Sequence, residues 1–278
     1  MIAQQELLDF FEAGTDTYRF LSQVFFKELT EDAIDALEAQ EWPRDAGNIH
    51  LDRGYSLVRR YFNFAAGDKR TQLAVEYARV FLATGVFRSE KRSPVPYESV
   101  FTSEEHIVMQ EPRDEVVAWF AEDGFKVDPD LHEPEDHVAF EFEYLSTMNE
   151  RARALAEAKD AEGLKRNVER QAAFIEAHIL NWVPTLLEVA QSYAKLAFYL
   201  GMLEIAIGAS EQQLAMLDAI KAQIEGGVVA ADEAADAEAV VGAEAADAAD
   251  EGEQGAEDEA APSPEADLAA GAAEAEVA

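Results

Sequence analysis

The residues best suited to chemistry lie in one short stretch, His132-Glu133-Pro134-Glu135-Asp136-His137, with Glu141 a helical turn further on. Two imidazoles and several carboxylates so close together suggest a metal centre or an acid–base pair. Spacing argues against the metal. In a helical zinc site two histidines stand four apart on one face, whereas His132 and His137 are five apart with Pro134 between them. His137 and Glu141 share a face, but two ligands do not complete a coordination shell. A metal-dependent hydrolase using His132, His137 and Glu141 is therefore the alternative reading, and a solvated, capped helix start is the plainest one.

No other catalytic signature is present. The chain has no glycine-rich nucleotide loop and no GxSxG elbow. It has no cysteine, which removes disulfides, iron–sulfur ligation and thiol nucleophiles together. The expectation is a binding protein, with no catalytic residue, no metal and no cofactor.

The elements that must hold this stretch are helical. Apolar residues recur at spacings of three and four, as in Val138, Phe142, Leu145, Met148, Ala152 and Leu155, and again in Leu196, Leu200, Leu203 and Ile207. Strand signals are scarce, so the fold class is all-α, a single helical domain of about ten helices. The punctuation predicts helices over 3–27, from Thr30 to before Pro43, and over 52–65, 68–83, 113–122, 134–158, 164–181, 185–209 and 210–225. Pro134 is expected in the first turn of its helix, where a missing N–H costs nothing. Thr84 to Pro96 is the longest irregular stretch, carries Arg88, Lys91 and Arg92, and is expected to be a functional loop. Aromatic residues including Tyr18, Phe25, Phe26, Tyr77, Phe81, Phe120, Phe142, Phe174 and Trp182 are assigned to the core, and His178 to a packed, hydrogen-bonded position.

Charge narrows the partners. The 278 residues carry 57 acids against 22 Lys plus Arg, a formal net charge of −35. From Gly226 to Ala278 there are 16 acids, no base and no aromatic residue, a composition that cannot bury enough apolar surface to order itself. The domains are thus expected to be a helical body over 1–225 and a disordered Ala/Asp/Glu-rich tail over 226–278. The body keeps 41 acids against 22 bases, which excludes nucleic acid as a partner and favours a basic polypeptide. The apolar run Leu196–Gly208 contains Glu204 and is shorter than the roughly 20 residues that span a bilayer, so no stable membrane insertion is expected. The first residues lack a basic, then apolar, export signal, and a cytoplasmic location is expected.

Three stretches taken together resemble the TorD/DmsD/NarJ-type family of redox-enzyme maturation chaperones. They are Tyr77-Ala78-Arg79-Val80-Phe81-Leu82, Pro94-Val95-Pro96-Tyr97-Glu98-Ser99-Val100-Phe101, and Glu133-Pro134-Glu135-Asp136-His137 with Glu141 after it. Phe174 to Pro184 is similar to that family's C-terminal helix motif, with Ile179 in place of its leucine. The resemblance covers about residues 15–210 and implies a TorD-like helical bundle that binds the twin-arginine signal peptide, or the apo catalytic subunit, of a molybdopterin reductase. It implies peptide-binding roles for Pro134, Asp136 and His137, then for Pro96, Tyr97 and Ser99. Chemistry agrees: paired guanidinium groups followed by an apolar run need carboxylates beside an apolar groove. Asp136, Glu135 and Glu141 are the expected carboxylates, each hydrogen bond contributing about 1.5–3 kcal/mol. Tyr97, Phe101, Val138 and Phe142 are the expected groove. A structural adaptor working through its acidic tail is the third reading, and a homodimer stays open.

Overall fold

A computed structural model of the chain describes residues 2–82 and 93–226. These all fall in the first of two units into which the chain divides, Met1–Ala231 and Asp232–Ala278. The basic cluster Arg88, Lys91 and Arg92 and, beyond Gly226, the acidic tail lie outside the described residues.

Ten α-helices and one 3-10 turn make up the described secondary structure: α1 Gln4–Phe26, α2 Glu31–Ala39, α3 Ile49–Phe64, α4 Lys69–Val80, α5 Glu98–Thr102, α6 Glu111–Glu122, η1 Pro129–Leu131, α7 Val138–Glu157, α8 Ala161–His178, α9 Val183–Ala190 and α10 Phe198–Glu225. The all-α expectation holds. Short polar side chains start many of them by accepting orphan backbone N–H groups. Thr30 accepts from Ala33, Asn48 from His50 and Leu51, Asp68 from Thr71, and Asp160 from Gly163.

Two long pairings build the core. α1 lies along α7, and α3 lies along α10, while α8 packs on both α7 and α10. The α3–α10 pair approaches closely because glycines face each other: a Cβ on Gly54 would sit 2.8 Å from the Gly201 carbonyl, and one on Gly201 would sit 2.9 Å from that of Gly54. Trp182, Tyr18, Tyr144, Tyr199, Phe11, Phe25, Phe81, Phe142 and Phe174 fill the interior. Among the described residues no helix is long and apolar enough to cross a membrane.

Helix boundaries differ from the sequence expectation in three places. Residues 185–225 form α9 and one continuous α10, broken at 191–197 rather than at Ser210. The break is stabilised from outside the segment: the buried Glu76 carboxylate on α4 accepts the N–H groups of Lys195 at 2.5 Å and Leu196 at 2.7 Å. Ser210 continues the helix, with its hydroxyl buried against the Tyr18 hydroxyl at 3.4 Å. α5 arises in a stretch whose prolines hid it. α7 starts at Val138, so Pro134 stands in the turn before the helix and not in its first turn.

Candidate functional site

α5 and α7 both leave from one short antiparallel bridge, Tyr97 against His137. The Glu98 N–H donates to the Asp136 carbonyl at 3.0 Å and the Val138 N–H to the Pro96 carbonyl at 2.9 Å. This extended pairing is what delays α7. His137 takes the N-cap position, and its Nδ1 accepts the Ala139 N–H at 3.1 Å. Pro134 accepts the His137 N–H at 3.1 Å and so closes the preceding turn.

Beneath the bridge lies a buried carboxylate cluster. Asp136 is fully buried and accepts both the backbone N–H of Ser99, at 2.8 Å, and the Ser99 hydroxyl. Its other oxygen has no hydrogen-bond partner. Burial raises its pKa, opposed by the two Ser99 bonds. Glu98, also buried, meets His178 Nδ1 at 2.9 Å and the Asn181 amide at 3.0 Å, which ties α5 to the end of α8. Glu141 is fully buried with neither oxygen hydrogen-bonded. Burial, then the charges of Glu98 and Asp136, hold its pKa well above the usual carboxylate range, with Trp182 acting weakly the other way. Burial also lowers His137 to about 3, so the ring is neutral and Nδ1 keeps its lone pair for the cap.

The outer face of the bridge is different. Glu133 is exposed, and its carboxylate accepts the Tyr97 hydroxyl at 2.5 Å. Glu135 is half-buried and engaged by Arg113 of α6 at 2.6 Å. Burial, and then the charges of Glu133 and of Glu28, an exposed residue just after α1, raise the pKa of the Tyr77 hydroxyl. His137 makes edge-to-face contacts with the rings of Tyr97, at 5.0 Å, and Phe26, at 6.1 Å, and Phe140 lies tilted beside Phe26 at 5.5 Å. Phe26 and Phe140 in turn line an open cleft of about 440 Å³ with Phe125, Val127 and Leu131.

The expected residues are therefore brought together. Pro96, Tyr97, Ser99, Pro134, Glu135, Asp136, His137 and Glu141 meet at the start of α5 and α7. Asp136, Glu141, Ser99 and His137 are turned inward, because the bridge and the α5 contact leave them no path to solvent. Asp136 and Glu141 thus lie below the surface, and Glu135 is paired with Arg113. The expected groove needs the same correction, since Val138 and Phe142 are fully buried and Phe101 nearly so. An open cleft beside the bridge is lined instead by Phe26, Phe125, Leu131 and Phe140. Phe26 had the helical spacing of a core residue, and only its position at the open end of α1 marks it as a lining residue.

The hydrolase reading finds no ligand set. His132 is exposed with φ of 55° at the end of η1, His137 Nδ1 is occupied by the helix cap, and no group of three or more potential metal ligands exists among the described residues.

Comparison with known proteins adds what geometry cannot. Residues 50–188 match the family model described as nitrate reductase delta subunit. The chain is 27% identical to a protein named chaperone protein TorD from Vibrio vulnificus, over 73% of this chain and 94% of that one. It is 26% identical to the TorD chaperone of Vibrio cholerae, over 77% and 96%, and 22% identical to that of Photobacterium profundum, over 77% and 98%. The matched span contains the Tyr97–His137 bridge and the carboxylate cluster, while Phe26 and Glu28 precede it.

Proposed function

The chain belongs to the nitrate reductase delta subunit family, among whose members it is similar to the TorD chaperones that serve molybdoenzyme maturation, and on that premise we propose how it holds its client. The client is a molybdopterin reductase in its apo form, and the segment held at this site is its twin-arginine signal peptide. The chain works in the cytoplasm by binding rather than by catalysis. It keeps the leader occupied until the cofactor is in place.

One observation carries this reading: the exposed Glu133 is bonded to Tyr97, whose ring meets His137, and His137 meets Phe26 on the wall of the cleft that Phe125, Leu131, Phe140 and the stems of Lys27 and Lys126 also line. A leader peptide has the same order of chemistry, paired guanidinium groups and then an apolar run. Charge-assisted hydrogen bonds to the edge contribute about 1.5–3 kcal/mol each. Each well-buried apolar side chain adds roughly 1.5–3 kcal/mol. Less the cost of ordering an extended peptide, the sum corresponds to micromolar affinity, about −8 kcal/mol. Asp136, Ser99, His137 and Glu141 act as positioning residues, fixing where the Tyr97–Glu133 edge stands. Residues 1–225 form the binding domain, and 226–278 are an appendage that leader binding does not need.

Calorimetric titration of the full chain with a reductase leader peptide tests the reading. Arg-Arg, Lys-Lys and Ala-Ala versions should bind in falling order, because Lys keeps the charge but loses the bidentate fork. Indifference to the arginines would sink the carboxylate edge as the receptor.

A further inference from the structure

Away from the bridge, α1, α3 and α10 enclose an open cleft of about 190 Å³, with Phe10, Gly14, Leu51, Tyr55, Ile205 and Gln213 on its walls. No charged side chain lines it, although charged residues make up 28% of the sequence. The cleft beside Phe26, by contrast, has Lys27, Lys126, Asp128 and Glu143 on its walls. An uncharged lining in so acidic a chain favours an uncharged ligand, because a charge brought there would lose water and find no counter-charge.

One polar atom of this cleft is fixed in advance. Gln213 is buried, and its amide nitrogen donates to Asn149 Oδ1 at 2.8 Å and to Gln171 Oε1 at 3.1 Å. Both acceptors are themselves held: Asn149 Nδ2 donates to the Leu145 carbonyl at 2.9 Å, and Gln171 Nε2 donates to Asn167 Oδ1 at 2.7 Å and to the Met148 carbonyl at 3.3 Å. Each amide in this relay has one orientation that satisfies it, so both donors of Gln213 are used and its Oε1 is left over. That oxygen accepts no hydrogen bond among the described residues. A Cβ on Gly14 would stand 3.2 Å from it and 2.5 Å from Asn149 Oδ1, so only glycine lets the relay come this close to α1. Burial, and then the charge of Asp52, raise the pKa of the Tyr55 hydroxyl, which therefore keeps its proton and is available to donate. A rigid acceptor on an otherwise apolar cleft rewards a donor placed there, since nothing in the protein has to be ordered to make the bond.

We propose that this cleft binds a small uncharged aromatic amide, its ring against Phe10 and Tyr55 and its N–H on Gln213 Oε1. The aromatic walls suit a ring, the left-over oxygen requires a donor, and the Tyr55 hydroxyl complements the amide carbonyl. Ala13, Thr17 and Gln212 at the rim are exposed, which leaves the mouth open to solvent. The site is separate from the leader cleft, and the proposal stands or falls independently of the leader.

The test uses the full chain, isotope-labelled, and three probes of nearly one shape: benzamide, acetophenone, in which a methyl group replaces the amide nitrogen, and benzoate, which is an anion. Benzamide should shift the resonances of Gly14 and Thr17 and of the Gln213 side-chain amide to saturation. Acetophenone should bind at least roughly tenfold more weakly, as expected where a built acceptor is left unpaired, and benzoate should shift none of them. Equal binding of benzamide and acetophenone, binding of benzoate, or benzamide shifts absent from those three residues overturns the proposal. Gln213→Leu should bind benzamide and acetophenone alike, and a folded variant that still prefers benzamide would contradict the assignment. Because that change leaves Asn149 Oδ1 and Gln171 Oε1 unpaired and endangers the fold, Ala13→Trp is measured beside it. It alters an exposed helical position at the mouth, leaves the relay intact and should weaken benzamide by roughly tenfold or more. Undiminished binding by Ala13→Trp would equally overturn the site.

Discussion

Asp136 accepts two hydrogen bonds from one residue, Ser99, and so fastens the first turn of α5 to the turn that precedes α7. The two residues are 37 apart in sequence, and the carboxylate they share is fully buried. It is a structural clamp, and the exposed Tyr97–Glu133 pair rides on it.

Breaking the clamp should cost stability before it costs binding. Asp136→Ala leaves the buried Ser99 N–H and hydroxyl without their acceptor and should destabilise the fold by about 1–3 kcal/mol in urea denaturation. Ser99→Ala should cost less, because it keeps the backbone bond. The double variant should fall short of the sum by roughly 0.5 kcal/mol or more, since the two side chains share one interaction. Additive losses would show that they act independently.

Stability should depend on pH in two opposing ways. Glu141 has its folded pKa raised by burial, so its neutral form is favoured in the fold. Its contribution is fully present below the ordinary carboxylate pKa and is lost as pH rises toward the folded value. Glu141→Gln should therefore be more stable than wild type at pH 8, with the difference shrinking toward pH 4, a comparison that denaturation midpoints give directly. His137 runs the other way. Its folded pKa is depressed to about 3 from 6.5, so its contribution is present above 6.5 and lost as pH falls through that interval. His137→Asn keeps an N-cap acceptor and should flatten the acid limb, while His137→Ala should also lose the cap, about 1 kcal/mol.

The helical body and the acidic motif with Asp136 and His137 were legible in the sequence, because apolar spacing reports helices and the motif stands out by composition, while the company of Tyr97 came from the family resemblance alone. Direction was not. A carboxylate such as Asp136 reads the same whether it faces water or a serine 37 residues away, and only the Tyr97–His137 bridge decides which. The start of α7 was misplaced for the same reason, since Pro134 permits a helix start that the pairing with Pro96 and Glu98 then forbids. Phe26 was invisible as a lining residue because a helix end and a helix middle share one periodicity.

Leader binding should respond to the outer residues with little change in stability. Leu131 is 40% exposed at the cleft, so Leu131→Ser should shift unfolding by less than about 0.5 kcal/mol. The same change should weaken leader binding by roughly fivefold or more, on the scale of one apolar side chain left unburied. Glu133→Gln together with Glu28→Gln should weaken the Arg-Arg peptide and flatten its salt dependence, as expected when exposed charges are removed. Unchanged affinity and salt slope in the double variant would remove this edge from the binding surface.

The placement of the leader is tested most directly by photo-crosslinking. A leader peptide carrying a photoreactive residue in its apolar run is bound to the full chain, irradiated and mapped by mass spectrometry. Adducts on Phe26, on residues 125–131 and on Phe140 are the result expected if the leader lies in the cleft beside His137. Adducts confined to other surfaces, such as the α3–α10 side or residues 104–110, with those positions untouched, would contradict it.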